Sequence, residues 1–90
     1  MLNKILDNYF TKKLLEEIKW SFIVRNLDYR FEDDNYQVWV KCKPRKYSLE
    51  YYSTIIQIRK EDSLKYICDL DKFRKEINKI IDEYQKEEKL

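Results

Sequence analysis

Glycine and histidine are both absent from the 90 residues of this chain, and proline occurs once, at Pro44. Without glycine there is no Gly-rich loop to cradle a phosphate or a dinucleotide. Turns must then be made by Asn, Asp and Ser, which tolerate unusual backbone angles or bond their own backbone. Without histidine the side chain that most readily exchanges a proton near neutral pH is missing. No Ser or Cys lies in a nucleophile motif, so an enzyme is not expected. The two cysteines, Cys42 and Cys68, are too few for a four-ligand zinc site, and Cys42 reads as a small apolar core residue. The acidic pairs Asp33-Asp34 and Glu16-Glu17 fall short of the six or more oxygens of a calcium site. They read as a hairpin turn and a solvated helix face. Neither a metal nor a cofactor is expected.

No apolar run approaches the ~20 residues that span a bilayer, and the first ten residues interleave charges with apolar side chains, unlike a secretory signal. A cytoplasmic protein with reduced thiols is expected, with no membrane partner. What is present is charge of both signs, 40% of residues with a net of +2, and fourteen aromatics. Disorder combines low hydrophobicity with high net charge. This chain instead reads as one folded domain over residues 1–90.

The pattern predicts an α+β fold, with an antiparallel sheet of three or four strands flanked by an N-terminal and a C-terminal helix. Leu2, Ile5, Leu6, Tyr9, Phe10, Leu14 and Ile18 are spaced by threes and fours, which predicts a helix over Leu2 to Lys19. The stripe drifts around the axis, which implies a curve or a break near Thr11. Ser21 to Glu32 reads as a first strand, with Ile23, Leu27, Tyr29 and Phe31 on one face, and Asp33-Asp34-Asn35 as a hairpin turn. Tyr36 to Lys43 alternates: Tyr36, Val38, Val40 and Cys42 on one face, Gln37, Trp39, Lys41 and Lys43 on the other. Leu49 to Arg59 places Tyr52, Thr54, Ile56 and Ile58 on one face and carries the β-branched and aromatic residues suited to a sheet. The intervening turn contains Pro44, which cannot continue a central ladder.

A polar turn follows at Lys60 to Ser63. Leu64 to Cys68 reads as a fourth strand, or else as the start of the last helix with Asp62 as cap. Asp69 is placed to cap a helix from Leu70, whose apolar stripe runs Leu70, Phe73, Ile77, Ile80, Ile81 and Tyr84. The expected order is α-β-β-β-β-α or α-β-β-β-α, with both helices on one face of the sheet.

Basic charge is concentrated centrally. Residues 36–60 carry Lys41, Lys43, Arg45, Lys46, Arg59 and Lys60 against Glu50 alone, whereas the flanking segments are slightly acidic. Trp39, Lys41, Lys43, Arg45, Lys46, Tyr47 and Tyr51 are therefore the candidate partner-binding residues. Aromatic rings among cations on an open sheet stack bases and neutralise phosphates in single-strand binders. Trp, Tyr and Arg also make protein-interface hot spots. A third reading has Trp39 packed on Tyr51 or under a lysine stem, with the lysines discouraging edge pairing. A sheet with exposed edges can pair across a two-fold axis, so monomer and homodimer are both open.

The order helix, antiparallel strands, helix resembles the double-stranded-RNA-binding domain. That family carries a Gly-Pro loop and a Lys-rich start to its last helix, where this chain has Asp33-Asp34-Asn35 and Leu70-Asp71-Lys72-Phe73-Arg74-Lys75. In size, in its lack of Gly-rich motifs and in element order the chain also resembles the small phage-encoded inhibitors of bacterial defence, the anti-CRISPR proteins. That resemblance implies a stoichiometric binding protein whose partner is a protein or nucleoprotein complex. Many of those inhibitors mimic DNA with acidic surfaces, which a basic centre does not fit. Glu76, Asp82, Glu83, Glu87 and Glu88 would then be a second contact. A nucleic-acid-binding regulator is the alternative.

Overall fold

A computed structural model describes residues 2–43 and 51–88. The elements run α1 (Leu2–Val24), β1 (Tyr29–Asp33), β2 (Gln37–Cys42), β3 (Ser53–Arg59), a 3-10 turn (Lys60–Asp62), α2 (Ser63–Cys68) and α3 (Leu70–Glu88). The three strands form one antiparallel sheet in the order β1-β2-β3. The fold is α+β, with three strands among the described residues.

Helix α1 passes through Thr11 without a break. The Thr11 hydroxyl donates to the Asp7 carbonyl at 2.6 Å, a bond that a helix accommodates within its own turn. It also shares a hydrogen bond with the Ser63 hydroxyl at 2.6 Å, so the buried hydroxyls satisfy each other where α1 meets α2. The inner stripe of α1 is Thr11, Leu14, Ile18 and Phe22, all buried. Phe22 continues the helical spacing, and this is why Ser21 to Val24 is helix and not the expected start of a strand. Packing overrides the strand-like composition of Ser21-Phe22-Ile23-Val24.

The helix ends in a motif that would ordinarily use glycine. Asn26 adopts φ 55°, the Leu27 N–H bonds the Phe22 carbonyl at 3.1 Å, and the Asn26 N–H bonds the Ile23 carbonyl at 3.0 Å. This is a Schellman cap with Asn in the left-handed position. Leu27 and Phe22 both lie in the core, and the Phe22 ring stacks on Tyr29 with centroids 5.4 Å apart.

The β1–β2 hairpin turns at Asp34, whose carboxylate accepts the N–H groups of Tyr36 and Gln37 at 2.7 and 2.8 Å. Val38, Val40 and Cys42 point into the core and are fully buried. Tyr36, expected on that face, precedes the strand and is 74% exposed. On β3, Ile56 and Ile58 face Val40 and Val38. A bulge between Val40 and Lys41 then shifts the register, so that Thr54 lies opposite Lys41 and Ser53 opposite Cys42. A bulge reverses which residues point inward, so Thr54 leaves the core face that strict alternation assigns to it.

Leu64 to Cys68 belongs to helix α2, not to a fourth strand. The reason is that a helical turn here brings Tyr66 onto the core beside Leu70 and Phe73 of α3. The Tyr66 and Phe73 rings touch, with centroids 5.2 Å apart. Asp62 precedes α2 without a side-chain cap bond. At Asp69 the chain kinks to φ −135°, ψ 67°, and the Asp69 carboxylate accepts the Lys72 N–H at 3.4 Å as α3 begins.

Phe73, Ile77 and Ile81 of α3 are buried against α1 and the sheet, with Leu70, Ile80 and Tyr84 at the margin. The helices thus cover one face of the sheet. Burying each such side chain is worth about 1.5–3 kcal/mol, which makes this single core the main stabilising term. Bonds at its edge fix how the helices pair. Arg74 grips Glu17 through two bonds, 2.8 and 3.0 Å. Ser21 donates to Asn78 at 2.6 Å, and Arg25 reaches Asp82 at 2.9 Å.

Candidate functional site: the open face of the sheet

The helices leave the other face of the sheet uncovered, and the strand registers define what stands on it. Arg30, Lys41 and Thr54 lie side by side across β1, β2 and β3. Glu32, Trp39 and Gln57 form the next row, and Gln37 and Arg59 the third. Trp39 is therefore at the centre, half-buried, with a carboxylate on one side and an amide on the other.

The charges around the indole are held in place. Lys41 Nζ lies 2.8 Å from Glu32 Oε2, and the lysine side chain is only 24% exposed. Arg30 sits 3.9 Å from the other Glu32 oxygen, and its guanidinium stacks over the Tyr52 ring at 4.7 Å. Gln57 Nε2 donates to Gln37 Oε1. Such a face offers an apolar centre with oriented polar groups around it. Among the described residues no group of three or more His, Cys, Asp or Glu side chains converges as a metal site. Of the acidic pairs weighed as ion ligands, Asp33 is paired with Lys60 at 2.8 Å. Asp34 is held below the usual carboxylate range by the backbone N–H of Tyr36, with that of Gln37 adding to it. Glu17 is likewise held low by its hydrogen bond from Arg74.

Of the residues expected to bind a partner, Trp39 and Lys41 stand together here. Lys43 follows them, half-buried, with its N–H bonded to the Asp28 carbonyl at 3.1 Å. Tyr51 is exposed, and its hydroxyl accepts a bond from Ser53 at 2.8 Å. It therefore aligns with Ser53, opposite Cys42, and not with Trp39. Arg45, Lys46 and Tyr47 lie outside the described residues. Three residues that the sequence reading did not select, Arg30, Glu32 and Tyr52, complete the face. The signal for Arg30 and Glu32 was available: they alternate with Tyr29 and Phe31, whose shared inward face puts them outward. Tyr52 arrives through the bulge, which alternation alone does not reveal.

Beside the hairpin, a polar cleft of about 540 Å³ opens between Lys4, Asp7 and Asn8 of α1 and Asn35, Tyr36, Arg59 and Glu61. Its charges are mixed, with Arg59 and Glu61 3.8 Å apart. Among the described residues no helix is long and apolar enough to cross a membrane. Compared with protein-family models, curated proteins and solved structures, the chain has no match.

Proposed function

We propose that this chain is a non-catalytic binding protein that docks a protein, alone or within a nucleoprotein complex, on the open face of its sheet. The partner class is the one implied by the resemblance to anti-CRISPR inhibitors. The observation that carries the reading is the setting of Trp39, an indole flanked by the Glu32–Lys41 ion pair. A phosphate-binding face needs cations free to replace counterions. Here Lys41 is committed to Glu32, and the Glu32 carboxylate beside the indole repels a phosphate backbone. An aromatic centre with a polar, preorganised surround is the anatomy of a protein interface. The nucleic-acid reading is favoured by one feature, the stacking of Arg30 on Tyr52 next to the indole.

The test begins with a pull-down with and without nuclease, followed by titration of the recovered partner at two salt concentrations. Trp39→Ala is expected to weaken binding by about 30-fold, the 2 kcal/mol of an interface anchor. Lys41→Ala/Lys43→Ala should act mainly on the association rate. Glu32→Gln separates the readings by sign. It weakens a protein complex that uses the Glu32–Lys41 pair, and it strengthens nucleic-acid binding by removing a repulsive charge. A log–log salt slope of about −2 to −3, together with that gain, would establish single-strand binding instead. Full binding by Trp39→Ala and by the double lysine variant would remove this face from consideration.

A further inference from the structure

Helix α1 is apolar on two opposite faces. The inner one is buried. The outer one carries Ile5, Leu6 and Tyr9 at one end and Trp20, Ile23 and Val24 at the other, all exposed, with Val24 at 72% and Trp20 at 64%. These are six of the nine large apolar side chains that the described residues leave in solvent. Leu6, Tyr9, Lys13, Glu16, Trp20 and Ile23 follow one another at alternating spacings of three and four, the repeat by which two helices pack along a seam. Lys13 and Glu16 occupy the middle of that seam. Both are exposed, and among the described residues neither enters an ion pair.

The seam is self-complementary when one copy is reversed. Leu6 and Ile23, Tyr9 and Trp20, Ile5 and Val24, and Lys13 and Glu16 are each placed symmetrically about the midpoint between Leu14 and Leu15. We infer that a second copy of this chain covers the outer face, α1 against α1 in antiparallel fashion across a two-fold axis. Every layer then matches: apolar against apolar at both ends, and Lys13 against the partner's Glu16 twice at the centre. A two-fold contact demands this property, since each residue must suit its counterpart's position on the same surface. From Ile5 to Val24 the seam is about 28 Å long at 1.5 Å per residue. The central charges serve register, because a shift by one turn sets one of them against its own copy and the other against Tyr9 or Trp20. The inference stands apart from the sheet-face reading, since α1 turns this side away from the core that it shares with the sheet.

The experiment is sedimentation of the full chain from micromolar to submillimolar concentration. The wild type is expected at twice its monomer mass of 11.3 kDa. Lys13→Glu and Glu16→Lys each set like charges together twice per dimer, and each should raise the dissociation constant at least tenfold. The double reversal Lys13→Glu/Glu16→Lys should recover the dimer. Trp20→Glu should abolish it, with circular dichroism confirming that the chain stays folded. In a Cys68→Ser background, a mixture of Lys13→Cys and Glu16→Cys chains should cross-link under mild oxidation, and neither chain alone should do so. A wild-type monomer throughout would overturn the inference. So would a dimer indifferent to these changes, or one that the double reversal fails to restore.

Discussion

Asn26 does for this chain what glycine does in most helix caps. Its φ of 55° lies where a Cβ crowds the following carbonyl, a strain of about 1–2 kcal/mol for most residues. The chain has no glycine, and Asn is the next most tolerant residue there. Comparing Asn26→Ala with Asn26→Gly isolates the backbone effect, because both substitutions remove the same side chain. The alanine variant should be less stable than the glycine variant by about 1–2 kcal/mol in urea denaturation. Equal midpoints would mean that Ala relaxes out of the left-handed region and that the Schellman bonds to Phe22 and Ile23 contribute little. Asp34 makes the same point at the hairpin. In a chain without glycine, turns are held by side-chain oxygens that accept backbone N–H groups, here those of Tyr36 and Gln37.

Among the elements, α3 has one apolar face, and its stripe was readable from spacing alone. Ile77 lies in the middle of it and is 5% exposed. Ile77→Asp puts an unpaired carboxylate into the core at a cost comparable to the whole stability of a small domain, ~5–15 kcal/mol. Unfolding is expected in circular dichroism melts, whereas Lys75→Asp, on the exposed side, should change stability by no more than about 0.5 kcal/mol. An unchanged melting temperature for Ile77→Asp would show the helix phase to be wrong. Helix α1 was harder to read because it has two apolar faces. Taken as one stripe, Ile5, Leu6, Tyr9, Leu14 and Ile18 drift around the axis. Taken as two, Leu14 and Ile18 go inward, while Ile5, Leu6 and Tyr9 go outward. The same ambiguity hid Ser21 to Val24, where β-branched and aromatic residues suggest a strand until Phe22 is seen to complete the inner stripe. Strand β2 was legible because its alternation is unbroken. Beyond the Val40/Lys41 bulge the alternation fails, and with it the placement of Tyr51, Tyr52 and Thr54. The centre of the candidate site, Trp39 and Lys41, was therefore visible in sequence. Its compensating charge was not, since Glu32 meets Lys41 only through the pairing of β1 with β2.

For the whole molecule, the two proposed surfaces lie on opposite sides of one core. The open face of the sheet points away from the helices, and the outer seam of α1 points away from the sheet. A dimer built on α1 presents two Trp39 faces, one per copy, and this has a consequence that neither surface has alone. Against a partner with repeated sites, the second contact becomes intramolecular, and avidity can exceed the single-site affinity by roughly 10²–10⁴ without any new contact. Trp20→Glu should then leave the single-site affinity in solution unchanged and speed dissociation from a densely coated partner surface by at least tenfold. Trp39→Ala should weaken both measurements while the protein still sediments as a dimer. Interferometry on dense and sparse surfaces, with a solution titration beside it, separates the cases. If Trp20→Glu weakens the solution affinity as much as the surface affinity, the α1 seam itself touches the partner. If dense and sparse surfaces give the wild type the same dissociation rate, the two sheet faces do not act together.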